Sequence, residues 1–131
     1  MSVDLSMATI NDYPTVTPYL VVADANAEIE FLEKAFGATV TEASRDDSGR
    51  LMHAEIRVGD SLVMMGQAGG EVKPLNAALY VWLENVDEIY AKALAAGAKS
   101  EREPADQTYG HRNAGVIDSN GIAWWIGSPV K

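Results

Sequence analysis

The stretch Leu20-Val21-Val22-Ala23-Asp24, running on to Val63-Met64-Met65-Gly66, is answered by Leu79-Tyr80-Val81-Trp82-Leu83, running on to Trp124-Trp125-Ile126-Gly127. Gly37-Ala38 ends an amphipathic segment in the first stretch, and Gly97-Ala98 does so in the second. The two share a plan more than identities, and an internal repeat on this scale sets the fold before any local motif does. In the first half, residues 16–22 alternate and are rich in β-branched side chains, which predicts a strand. Asp24-Ala25-Asn26 offers N-cap chemistry, and Ile29, Leu32, Ala35 and Phe36 place an apolar stripe on a helix over 27–36 that Gly37 stops. Strands over 39–44, 51–58 and 61–65 come next, separated by a turn at Arg45 to Arg50 and another at Gly59-Asp60.

The second half repeats the order. It reads as a strand over 78–84, a cap region at Asn85 to Asp87, a helix over 88–96 and a strand over 98–102. A loop around Pro104, a strand over 112–117, the turn Asp118-Ser119-Asn120-Gly121 and a strand over 122–126 complete it. The expected architecture is α+β: two βαβββ modules, 15–66 and 76–128, in one domain over 15–131. A flexible connector containing Gly69-Gly70 joins them, and residues 1–14 form a loose leader in which Met7 is an alternative start. A module of about 60 residues buries too little surface to be robust alone, so the halves are expected to share a core, within the chain or across a dimer.

Composition narrows the partners. Of 131 residues, 47% are hydrophobic and 22% charged, which is ordinary for a globular chain. No apolar run approaches the roughly 20 residues that span a bilayer, and the leader lacks the regions of a signal peptide. The chain has no cysteine, which excludes disulfides, thiolate nucleophiles and cysteine-bound zinc, and is compatible with the expected cytoplasmic location. A net charge of −9 argues against nucleic acid and anionic membranes, and would help attract a cation, although its simplest role is solubility.

Several phrases, in order and spacing, resemble the vicinal oxygen chelate superfamily, the glyoxalase, bleomycin-resistance and ring-cleaving dioxygenase group, and within it the PhnB-like branch. They are Pro18-Tyr19-Leu20, Phe36-Gly37-Ala38, Met52-His53-Ala54-Glu55, Tyr109-Gly110-His111-Arg112 and Trp124-Trp125-Ile126-Gly127. The resemblance implies curved mixed sheets around a cleft, usually in a homodimer.

Strand alternation then sorts the side chains. Pro18, Leu20 and Val22, then Met52, Ala54, Ile56 and Val58, then Leu79, Val81 and Leu83 form the sets expected to pack on the helices. The other face is expected to carry Tyr19, His53, Glu55, Arg57 and Met64 from the first half. From the second it is expected to carry Tyr80, Trp82, Arg112 and Trp125, with Arg112, Ala114 and Val116 in the same phase as His53 and Glu55. An apolar surface with a few polar groups is how small-molecule sites are built; a dimer contact or a hydrated sheet face is the alternative.

Metal-dependent members of the resembled group take ligands from the first and last strands of each module. Those positions here align with Thr17, Met64, Tyr80 and Trp125, none of which suits a divalent cation in the absence of thiolates. His53 and Glu55 could supply two ligands or a general acid/base pair, but a hydrogen-bonded pair is the plainer role. His111 reads as an exposed loop residue. The expectation is therefore binding of a small organic molecule, aromatic or cationic and antibiotic-like, with no cofactor. A divalent metal serving a glyoxalase-like lyase, isomerase or dioxygenase is the alternative, and a dimeric interaction module with a vestigial cleft is the third possibility.

Overall fold

Each helix lies between signals that the chain itself supplies. In the computed structural model, which describes residues 13–130, Asp24 accepts a hydrogen bond from the Ala27 amide at 3.0 Å and so starts α1 (Ala25–Phe36). Gly37 ends it in the left-handed region at φ 67°, donating to the Glu33 carbonyl. The second helix, α2 (Val86–Ala95), starts differently. Asn85 itself sits in the left-handed region at φ 62° and makes no side-chain cap. The expected capping at Asn85 to Asp87 is therefore not made, and the Asp87 carboxylate is engaged by Arg112 instead.

The strands are β1 (Tyr19–Val22), β2 (Thr39–Arg45), β3 (Leu51–Val58), β4 (Ser61–Gln67), β5 (Ala78–Trp82), β6 (Lys99–Asp106), β7 (His111–Ile117) and β8 (Ala123–Pro129). They form two four-stranded mixed sheets, ordered β1-β4-β3-β2 and β5-β8-β7-β6. β1 runs parallel to β4 and β5 parallel to β8; the other neighbours are antiparallel. The two βαβββ modules are thus present as expected. Their registers match: Tyr19 and Glu55 flank Met64 as Tyr80 and Gly115 flank Trp125.

Three local expectations change. Val16 is 83% exposed and precedes β1. β6 continues through Pro104, where a loop was expected, because an outer strand with register shifts on both sides of Arg102 does not need the missing amide. On β3, Ser44 faces His53 and Arg45 faces Leu51, so Met52 is an extra residue. This bulge turns Leu51 into the core and leaves Met52, expected on the helix side, half exposed.

One core serves both modules. α1 packs on α2, and Trp124 of β8 is buried against Phe31 and Phe36 of α1, with ring centroids 6.5 and 5.3 Å away. A polar staple accompanies this contact. Asn120 exchanges hydrogen bonds with the backbone of Asp24 and donates to Glu28 at 3.0 Å, while Trp124 Nε1 donates to Asp118 at 2.8 Å. Among the described residues no helix is long and apolar enough to cross a membrane.

Candidate functional site

With the helices covering one side of each sheet, the opposite faces hold the polar and aromatic side chains. They are unlike each other. On the first sheet His53 Nε2 lies 3.0 Å from Glu55 Oε2, and the Tyr19 ring stacks on His53 at 6.1 Å. Tyr13, just before the β1 sheet, reaches across and donates its hydroxyl to both Glu55 oxygens at 3.0 and 2.9 Å. Glu55 is 7% exposed, yet its carboxyl is held below the usual range, first by the hydrogen bond to His53 and also by the one from Tyr13. The same bond raises the Tyr13 phenol above its ordinary value. This half is a closed network, with Met64 beside Glu55 and Arg57 exposed further along β3.

The second sheet presents rings. Tyr80 and Trp82 of β5 lie 4.5 Å apart, and His111 meets Trp82 edge-on at 4.9 Å and Tyr109 at 5.5 Å. Trp82 is 56% exposed, an unusual state for the largest side chain. Trp125 belongs to the same face, with the Arg102 guanidinium 5.3 Å from its ring centroid. Asn113 sits between, donating to the Tyr109 hydroxyl at 2.9 Å and to that of Tyr80 at 3.5 Å.

Eight of the nine expected ligand-facing residues therefore lie on these two faces: Tyr19, His53, Glu55, Arg57, Met64, Tyr80, Trp82 and Trp125. Arg112 does not. Its guanidinium binds Asp87 of α2 through two bonds of 2.8 Å and Asp106 at 3.1 Å, which raises its pKa further and locks it on the helix side. Ala114 and Val116, expected in the cleft phase with it, are fully buried in the core. The open phase of β7 is His111, Asn113 and Gly115. The signal was available in the apolar alternation Ala114, Val116, which marks the core phase and carries Arg112 with it. His111 likewise starts a strand and contacts two rings, so the loop assignment is corrected. Tyr13, Arg102, Tyr109 and Asn113 were not anticipated.

A glycine makes room for this surface. A Cβ on Gly115 would come within 2.5 Å of the Trp125 ring. Gly115→Ala is expected to fold and to push the indole off the sheet. A changed near-UV circular dichroism band with an unchanged far-UV spectrum would show it; identical near-UV spectra would contradict the placement.

The donor set does not fit a divalent metal. Tyr80 pairs with Trp125 as Tyr19 pairs with Met64, so Tyr19, and not Thr17, is the counterpart of Tyr80. Thr17 precedes β1 and bonds the Pro14 carbonyl. Glu55 is already hydrogen-bonded by Tyr13 and His53, and among the described residues no three His, Asp or Glu side chains converge as metal ligands would.

A groove of about 420 Å³ runs along β5 between the modules, lined by Tyr80 and Trp82 of the aromatic face and by Leu79, Trp124, Leu62 and Val16 among others.

The profile of the Glyoxalase/Bleomycin resistance protein/Dioxygenase superfamily matches residues 12–126. The uncharacterized protein Mb0911c of Mycobacterium bovis is 32% identical over 133 residues, spanning 93% of this chain and 88% of its own. Among solved structures, TioX from Micromonospora sp. ML1 superposes with a TM-score of 0.71 at 23% identity, over 88% of this chain and 96% of TioX. The fosfomycin resistance protein FosX from Mesorhizobium loti gives 0.66 at 16% identity, over 93% and 95%. At such identities these structures bear on the fold alone.

Proposed function

Because the chain belongs to the glyoxalase/bleomycin resistance protein/dioxygenase superfamily, we propose that it binds a small aromatic molecule, without a metal, on the open face of its second module. The observation that carries this reading is the run Tyr80, Trp82, His111 and Tyr109. These are four rings in contact, two of them more than half exposed, beside a groove large enough for a drug-sized ligand. Stacking on such faces is worth about 0.5–1.5 kcal/mol per ring pair beyond burial. The first module differs: its carboxylate is hydrogen-bonded within the chain by Tyr13 and His53, which fits a scaffolding role. An antibiotic-sequestering role within the PhnB-like branch, in a cytoplasmic homodimer, is the form of this function that the sequence phrases favour.

The test is a thermal-shift screen of planar antibiotics and aromatic metabolites against the wild type and Trp82→Ala. Ligands at a hundredfold over Kd should add about 2.7 kcal/mol of stability, and Trp82→Ala should lose at least half of that gain. Hits unaffected by Trp82→Ala would overturn the aromatic-face reading. Stoichiometric metal in protein purified without chelators would overturn the metal-free one.

A further inference from the structure

The aromatic face contains one polar atom with nothing to bind. Asn113 is 3% exposed, its Nδ2 is spent on the two tyrosine hydroxyls, and its buried Oδ1 has no partner. A buried acceptor left unpaired is costly and rare in folded chains. The ring that closes over this amide is Tyr109, which is 60% exposed, bonds Asn113 through its hydroxyl, and precedes Gly110 in a tight turn at φ 87°. A ligand that displaces Tyr109 would meet this amide.

Charge on this face also restricts the ligand. The Arg102 guanidinium already lies against the ring of Trp125. The nearby carboxylates Asp87 and Asp106 are taken by Arg112 on the helix side. A second cation here would meet the Arg102 charge.

We propose that Asn113 is the specificity-determining residue of the aromatic face, and that the ligand is a planar, neutral or anionic molecule presenting an N–H or O–H donor at its ring edge. The inference rests on the binding reading above and departs from the sequence-based expectation that a cation would suit the cleft.

The test uses tryptophan-fluorescence titrations with three probes: 2-quinolone, which carries a lactam N–H, N-methyl-2-quinolone, which lacks it, and the 1-methylquinolinium cation. Wild type is expected to bind 2-quinolone about tenfold or more tighter than its N-methyl analogue, since a site with an unpaired acceptor rejects a ligand without the donor. The cation should bind weakest. Asn113→Leu should reduce the lactam preference to about onefold. Asn113→Asp, which keeps an acceptor, should retain the preference. Equal binding of the two quinolones to wild type, a preference that survives in Asn113→Leu, or tightest binding of the cation would overturn the role of Asn113 and leave the aromatic face intact as a binding site. Saturable quenching by none of the three would overturn the binding reading, and this inference with it.

Discussion

Trp124→Ala should destabilise the chain by about 3–5 kcal/mol, the range for removing a large buried aromatic ring. Trp124 is 1% exposed and is the largest fully buried side chain among the described residues. It comes from the last strand of the second module but packs on Phe31 and Phe36, both on the helix of the first. Truncation opens a cavity where the modules meet and strips Asp118 Oδ2 of its indole donor, leaving a buried carboxylate short of one bond. Against a total of about 5–15 kcal/mol, such a loss leaves a marginal protein. Urea unfolding should show a large drop in midpoint with little change in slope. Trp124→Phe should recover most of the burial but not the hydrogen bond, and so fall between. A loss under about 1 kcal/mol in Trp124→Ala would contradict a core shared between the modules.

The second large effect is on pH dependence. Glu28, on the first turns of α1, is 1% exposed, and its Oε2 has no partner. Burial, then the neighbouring Asp118 carboxyl, pushes its pKa up to about 9. With Glu28 protonated, its O–H would face the Asp118 carboxyl and account for the orphan, while Oε1 accepts from Asn120. Asp118 in turn accepts from the Asn120 and Ile122 amides and from Trp124.

The direction comes from linkage. The folded pKa lies above the unfolded value of 4.5, so the folded chain holds a proton that the unfolded chain has released. The stability that this proton carries is complete below about pH 4.5 and is lost as pH rises toward 9. Glu28→Gln supplies a permanent N–H donor in the same place. It should flatten the fall in melting temperature between pH 6 and 9 and make the variant the more stable protein at the alkaline end. Parallel curves for the two proteins across that window would show that Glu28 is ionised in the folded state.

Much of this was legible in the sequence, and particular residues show where legibility stopped. Gly37 and Gly97 mark the helix ends because few other residues adopt the left-handed backbone that closes a helix. The strand alternations of β1, β5 and β8 announce their buried sides. Alternation failed at Met52, where a bulge adds a residue, since pairing partners and not local pattern decide a bulge. It failed at Arg112 because that residue was put in phase with His53 and Glu55, whereas the buried Ala114 and Val116 mark its face as the helix side, where Asp87 and Asp106 bind it. Tyr13 was missed because a hydrogen bond between residues 42 apart, here Tyr13 to Glu55, leaves no periodic trace, and Asn113 because the open phase of β7 was assigned to Arg112. The proton on Glu28 was equally silent, since a carboxylate in a first helical turn normally reads as a solvated partner of the helix dipole.

The staple between Glu28 and the Asp118–Trp124 segment has a consequence for how the protein is made. A ribosome delivers α1 some 90 residues before the segment that shields it, since Asn120 lies 92 positions beyond Glu28. Until that segment emerges, the nascent first half presents Phe31 and Phe36 to the cell without their tryptophan cover. A buried-to-be glutamate sits among them, still ionised in water. The first half must therefore wait, partly formed, for the second. Until then the uncovered rings are surface through which one nascent chain can associate with another.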